Sequence, residues 1–286
     1  MTYKTLCILF CGALLSVTSF KPSSDLYAQA AVSDDVELLS HKAVYDVSLS
    51  ETKPSSTITS IKGQMVYTLN YDCAAWNTIY DFDLVYHFSD KPSAHVKTQT
   101  VTYEPVNGEK YNFAMNHIIA GKKIEAMRGH AQKEQSGGSK SIRATYTKPD
   151  ALQEIYEGDL IFPTEHSKSV IRRARADKRF FSLDVFDGLE RKGVTTISTL
   201  ISQADPNDNA MATRFEGIDE SAEKWRVNMA YFTKSAKSAN RGMSDYELSA
   251  TLYETGVLSD IRLNYHDYVL KQDLVDFTVL ETPHCP

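Results

Sequence analysis

The sequence predicts a mainly β protein: a single curled antiparallel sheet, a β-spiral or open barrel, of about a dozen strands with one helix. Three observations carry this. Apolar and polar residues alternate at period two in segment after segment, the mark of strands with one buried face. Only Thr164 to Asp177 carries a helical apolar stripe. An antiparallel sheet of more than roughly ten strands curls, splits or closes, because a flat open one leaves edges and a face uncovered.

The elements follow in order. Lys4 precedes an apolar run from Leu6 to Val17, and Ala28-Gln29-Ala30 gives the small-x-small pattern of a cleavage site. Residues 1–30 therefore read as a signal peptide, and 31–286 as one domain. The run is shorter than the roughly 18 to 20 residues of a membrane span, so the exported chain is expected to be soluble, not integral to a membrane. Ala31 to Leu39, small and acidic, reads as a flexible lead. Strands are then expected over Ala43 to Leu49, Gln64 to Tyr71 and Thr78 to Phe88. The last has Tyr80, Phe82, Leu84, Tyr86 and Phe88 on one face, with Asp81, Asp83 and His87 on the other. His95 to Tyr103, Lys110 to Asn116, Lys123 to Gln132 and Ser141 to Thr147 alternate more weakly, with polar residues on both faces, which predicts partial cover. They are separated by turn-forming Asn107-Gly108 and Gly137-Gly138.

The helix is placed by Pro163, suited to a first turn, by Glu165 near its N-terminus, and by the stripe Val170, Ile171 and Ala174. Strands resume at Arg179 to Phe186, turn at Asp187-Gly188, and continue through Gly193 to Ser202. A polar excursion from Gln203 to Lys224 precedes a strand over Trp225 to Phe232. A meander of three closes the chain: Tyr246 to Leu252, Val257 to Leu270 and Leu274 to Leu280.

Cleavage after Ala30 removes Cys7 and Cys11 and leaves Cys73 and Cys285. In an exported protein two remaining thiols favour a disulfide over a metal site, since no histidine stands at zinc-type spacing near both. Such a bond would join two distant parts of the sheet. A net charge of −6 argues against nucleic-acid binding, which needs a basic face.

Few constellations carry chemistry. Asp205, Asn207, Asn209 and Glu216 match calcium-loop spacing, yet Ala210 stands where that loop needs glycine, and a solvated hairpin excursion is the competing reading. Lys168, Arg172, Arg173 and Arg175 form a basic cluster on the helix, readable as an anionic-partner contact or as a solvated helix face. Glu165-His166 is the one close pairing of a histidine with a carboxylate, and a helix-start contact accounts for it as well as a general base does. With no nucleophile motif and no phosphate or dinucleotide fingerprint, the chain reads as a non-enzyme needing no cofactor. Its 16 tyrosines and 12 phenylalanines line either a packed core or a hollow for an acyl chain.

Several short motifs in order resemble one family. Leu39-Ser40-His41-Lys42-Ala43-Val44-Tyr45-Asp46-Val47-Ser48-Leu49, then Gly63-Gln64-Met65-Val66-Tyr67 with Cys73 shortly after, are similar to the opening of the cell-envelope-integrity (EipB-type) proteins of alphaproteobacteria. Phe162-Pro163-Thr164-Glu165-His166, Phe186-Asp187-Gly188, Tyr253-Glu254-Thr255-Gly256-Val257 and Cys285-Pro286 resemble its later landmarks. The resemblance implies a periplasmic β-spiral with one disulfide, here Cys73 to Cys285, similar in shape to lipoprotein carriers. It implies a role in maintaining the envelope with a periplasmic tetratricopeptide-repeat protein as associate, and it brings no catalytic residues. The expected function is thus a non-enzymatic periplasmic factor that binds an envelope component or protein partner. The alternative is a carrier of a lipid or lipoprotein acyl chain in an aromatic-lined hollow.

Overall fold

The computed structural model describes residues 36–189, 194–205, 214–219, 221–234 and 242–285. Fourteen strands and one helix are present among them: β1 (His41–Thr52), β2 (Ile58–Tyr71), β3 (Ala75–Phe88), β4 (Ala94–Pro105), β5 (Lys110–Ile119), β6 (Lys122–Ser136), β7 (Ser139–Lys148), β8 (Leu152–Glu157), α1 (Pro163–Arg175), β9 (Phe180–Val185), β10 (Thr195–Gln203), β11 (Lys224–Thr233), β12 (Tyr246–Tyr253), β13 (Leu258–Asn264) and β14 (Tyr268–Val279). They make one sheet in the order β8-β7-β6-β5-β4-β3-β2-β1-β14-β13-β12-β11-β10-β9. Every ladder between named strands is antiparallel, so the chain starts mid-sheet, meanders out to β8, crosses through α1 to the other edge at β9, and meanders back.

The sheet is not closed, because no ladder joins β8 to β9. It is curled all the same. Phe162 before α1, with Phe186 and Val194 beyond β9, packs into one buried cluster with Tyr111, Phe113, Met127, Ile142 and Tyr146 from β5, β6 and β7. Side chains flanking one edge thus reach strands beside the other. The larger cluster fills the rest of the concave face, with Ala43, Tyr45, Val47, Met65, Ile197, Val227, Ile261 and Leu274 buried against the α1 stripe Val170, Ile171 and Ala174.

Glycine is required at two close approaches, one to the backbone of a paired strand and one to a core ring. A Cβ on Gly63 would lie 2.0 Å from the Asp83 carbonyl oxygen, and one on Gly188 would lie 2.5 Å from the Phe113 ring.

Several expectations are corrected. Fourteen strands agree with the expected count of about a dozen, but β8, where Leu152, Glu154 and Tyr156 are half-buried and Gln153 and Ile155 exposed, is an addition: Leu152-Gln153-Glu154 lacks the β-branched run that marks a strand. The strand expected over Val257 to Leu270 breaks at Tyr265–Asp267, where the Tyr265 N–H donates to the Tyr268 carbonyl across a tight turn (2.9 Å). Alternation persists through that turn, so periodicity alone cannot mark it. The lead expected to be flexible is packed from Val36 onward: Val36 and Leu38 are core residues, and the Leu39 N–H donates to the Thr255 carbonyl. The partly covered strands β5 to β7 carry fully buried residues on one face, covered by Phe162 and Phe186. The signal peptide, Gly193, Asn207 and Asn209 lie outside the described residues.

Candidate functional site

Strand pleating puts every second side chain on the concave face. On β4 these are Thr98, Thr100, Thr102 and Glu104, a polar row where a packed barrel would carry aliphatics; Thr100, Thr102 and Glu104 are buried. The Thr98 hydroxyl meets Nδ1 of His117 on β5 at 2.7 Å.

Tyrosines from strands around the curl face the same space. Tyr80 on β3 keeps 37 % exposure; burial raises its pKa, against a lowering by its hydrogen bond with Tyr67, and the Asp187 carboxylate adds a smaller rise. The Tyr67 ring lies tilted against it, ring centroids 4.9 Å apart, with its pKa also raised first by burial. The negative charge of Asp187 adds to the same shift at Tyr111, Tyr146, Tyr231 and Tyr246. These residues sit on β5, β7, β11 and β12, so the charge of Asp187 is felt by tyrosines of four strands. Asp187 had read only as a turn residue; its Oδ1 does accept the Leu189 N–H (2.9 Å), as a turn aspartate should.

The helix cations have internal partners. Arg172 grips Glu165 through two bonds of 2.9 and 3.2 Å. Arg173 lies over the Phe181 ring and bonds the Ser169 carbonyl. Arg175 pairs with Glu254 at 3.0 Å, and Lys168 sits over the Trp76 ring at 5.7 Å. These contacts fasten α1 to β3, β9 and the β12–β13 turn.

Glu165 and His166 do not form an acid–base pair. Glu165 is held by Arg172, and His166 is buried with no hydrogen-bond partner for Nε2 among the described residues. Burial, then the Arg173 guanidinium, pushes the His166 pKa down to about 4. The folded pKa lies below the unfolded value of 6.5, so the unfolded chain binds the proton first as pH falls. Stability is therefore expected to be full above pH 6.5 and to fall toward pH 4, by about 3 kcal/mol from this residue, and then level off. Urea unfolding across that range measures it; a His166→Leu protein with the same acid slope would refute the assignment.

The disulfide joins Cys73, at the β2–β3 hairpin tip, to Cys285 after β14, with Cα atoms 5.5 Å apart. The expected link between distant parts of the sheet is corrected: 212 residues apart in sequence, the cysteines flank strands separated only by β1, because β14 pairs with β1 and β1 with β2. Of the calcium-spacing residues, Asp205 and Glu216 are exposed. Among the described residues no group of three or more His, Cys, Asp or Glu is placed to hold a metal ion.

The EipB-like family model matches residues 32–281. Over 257 residues the chain is 28 % identical to the cell envelope integrity protein EipB of Brucella abortus, covering 88 % of each chain. The crystal structure of a β-barrel-like protein of a domain of unknown function, also from Brucella abortus, matches with a TM-score of 0.77 and 26 % identity, covering 86 % of this chain and all of that one.

Proposed function

This chain belongs to the EipB-like family, and from that premise we propose that it is a non-enzymatic periplasmic factor that supports cell-envelope integrity. It acts by binding an envelope component or a protein partner through its curled sheet. The observation that carries this reading is the similarity, running through nearly the whole sheet, to a protein named for envelope integrity. A disulfide suits an oxidising compartment outside the cytoplasm, which supports the periplasmic placement. The concave face supports binding over catalysis: its carboxylates serve structure, Glu104 at the helix start and Asp187 in its turn, and its one buried helix histidine is kept neutral. The partner the family resemblance implies, a periplasmic tetratricopeptide-repeat protein, is the first to seek by cross-linking in the envelope.

Deleting the gene is expected to make the host sensitive to deoxycholate, with growth restored by the wild-type gene. Unchanged survival on the detergent would overturn the reading.

A further inference from the structure

On the outer face of the sheet an open trough of about 520 Å³ crosses β2 to β5 and takes in Lys123 of β6. Strand alternation settles which side chains reach it. Phe82, Thr100 and Phe113 turn to the core, so Asp81, Gln99 and Asn116, each an odd number of positions away, turn outward. The ladders set these three side by side: Asp81 faces Gln99, and Gln99 faces Asn116. Hydrogen bonds complete the row. Gln99 Nε2 donates to Oδ2 of Asp81 (3.2 Å), and Lys123 Nζ donates to Oδ1 of Asn116 (2.8 Å). A carboxylate, two amides and an ammonium thus follow one another across the strands.

The charges that end this row are not paired with opposite ones. On the adjacent row Asp83 takes the ordinary cross-strand solution, bonding Lys97 directly opposite at 2.6 Å. Asp81 instead has uncharged Val66 and Gln99 opposite it on its two sides, and its charge reaches Lys97 more weakly than that of Asp83 does. Among the described residues the partners of Asp81 and Lys123 are neutral amides. Each amide also keeps a group to offer. Gln99 spends an N–H on Asp81 and keeps its carbonyl oxygen, and Asn116 spends its carbonyl oxygen on Lys123 and keeps its N–H groups. Two strand spacings, about 10 Å, separate the Asp81 end from the Asn116 end. This order selects a ligand class. A phosphate would meet Lys123 but be repelled by Asp81 and Asp83. A hydrocarbon tail would strip water from both charges without replacing its hydrogen bonds, and a neutral sugar would leave both charges unmatched. An extended tripeptide, about 10 Å long, brings an ammonium, backbone amides and a carboxylate in the matching order. Val66 and Ile118, also in the trough, give small apolar side chains something to touch. We propose that this outer trough binds a short zwitterionic peptide of about three residues, its N-terminal ammonium on Asp81, its backbone on Gln99 and Asn116, and its C-terminal carboxylate on Lys123.

The proposal goes beyond the envelope-integrity reading, and its test needs no envelope phenotype, so either can fail alone. Titration of the purified, isotope-labelled protein with trialanine at low salt, followed by NMR chemical shifts, is expected to give a Kd of about 1 mM or tighter. N-acetyl-trialanine and trialanine amide each lack one end charge and should bind about tenfold more weakly. Asp81→Asn should weaken trialanine about fivefold and leave N-acetyl-trialanine unchanged; Lys123→Gln should weaken trialanine likewise and leave its amide unchanged. Neither residue is buried, so both variants read the site in a folded protein, checked by circular dichroism. The proposal is overturned if trialanine does not bind at about 10 mM, if capping its ends leaves binding unchanged, or if both variants bind it like wild type.

Discussion

Phe186→Ala is expected to lower the unfolding free energy by about 3–5 kcal/mol, the cost of emptying a large aromatic site in a core. Phe186 is fully buried. It sits just past β9, yet its ring meets Tyr156 at 5.2 Å, Phe113 at 6.0 Å, and Tyr111 and Phe162 at 6.4 Å. The first three lie on β8 and β5, on the far side of the sheet order from β9. One ring therefore links the two limbs of an unclosed sheet, and its loss removes packing that no ladder replaces. Gly188 pressed on the same Phe113 ring leaves little room for the site to collapse by shifting the turn. The measurement is urea unfolding against a Phe180→Ala control. Phe180 is 70 % exposed, so that change should stay within about 0.5 kcal/mol. A Phe186→Ala protein within about 1 kcal/mol of wild type would show that the limbs are held together elsewhere.

Cys73→Ser, or reduction of the bond, is expected to cost about 2–5 kcal/mol. In the chain-entropy model a link across 212 residues restricts the unfolded chain by about 5 kcal/mol. The native hairpin limits how much of that is realised. Asp72 Oδ1 accepts the Ala74 and Ala75 N–H groups at 3.1 and 2.8 Å, so the tip around Cys73 is shaped without the bond. Residues 281–285, by contrast, are exposed and leave the ladder, so the C-terminal tail should detach first. For a domain of this size each kcal/mol moves Tm by about 2–4 °C, giving a fall on the order of 10 °C by differential scanning fluorimetry. An unchanged Tm under reductant would show that the sheet already holds both ends in place. Because Cys73 sits at the β2–β3 tip, outside the buried cluster that holds Phe186, the two losses are expected to add in the double variant.

Local pattern was legible wherever one residue's surroundings were decided by its neighbours in sequence. Period-two alternation located thirteen of the strands that the structure contains, and Pro163 with the Val170, Ile171 and Ala174 stripe located α1. It failed at β8, whose composition is weak, and at Tyr265–Asp267, where a turn keeps the strand's alternation. It also left the β4 face ambiguous, since buried threonines read like exposed ones.

The class of fold, the helix and the two cysteines that remain after the predicted cleavage follow from side-chain order along the chain. What caps α1 does not. Phe162 at the N-cap offers no side-chain bond, and the Thr164 and Glu165 N–H groups donate instead to Glu104 of β4, some sixty residues earlier, at 2.9 and 3.3 Å. Burial raises the Glu104 pKa even against those bonds. Only the fold brought Phe186, just past β9, against Tyr111 and Phe113 of β5 and Tyr156 of β8. The reason is the curl: it brings together residues far apart in the chain, and their contacts leave no trace in the alternation of any single strand.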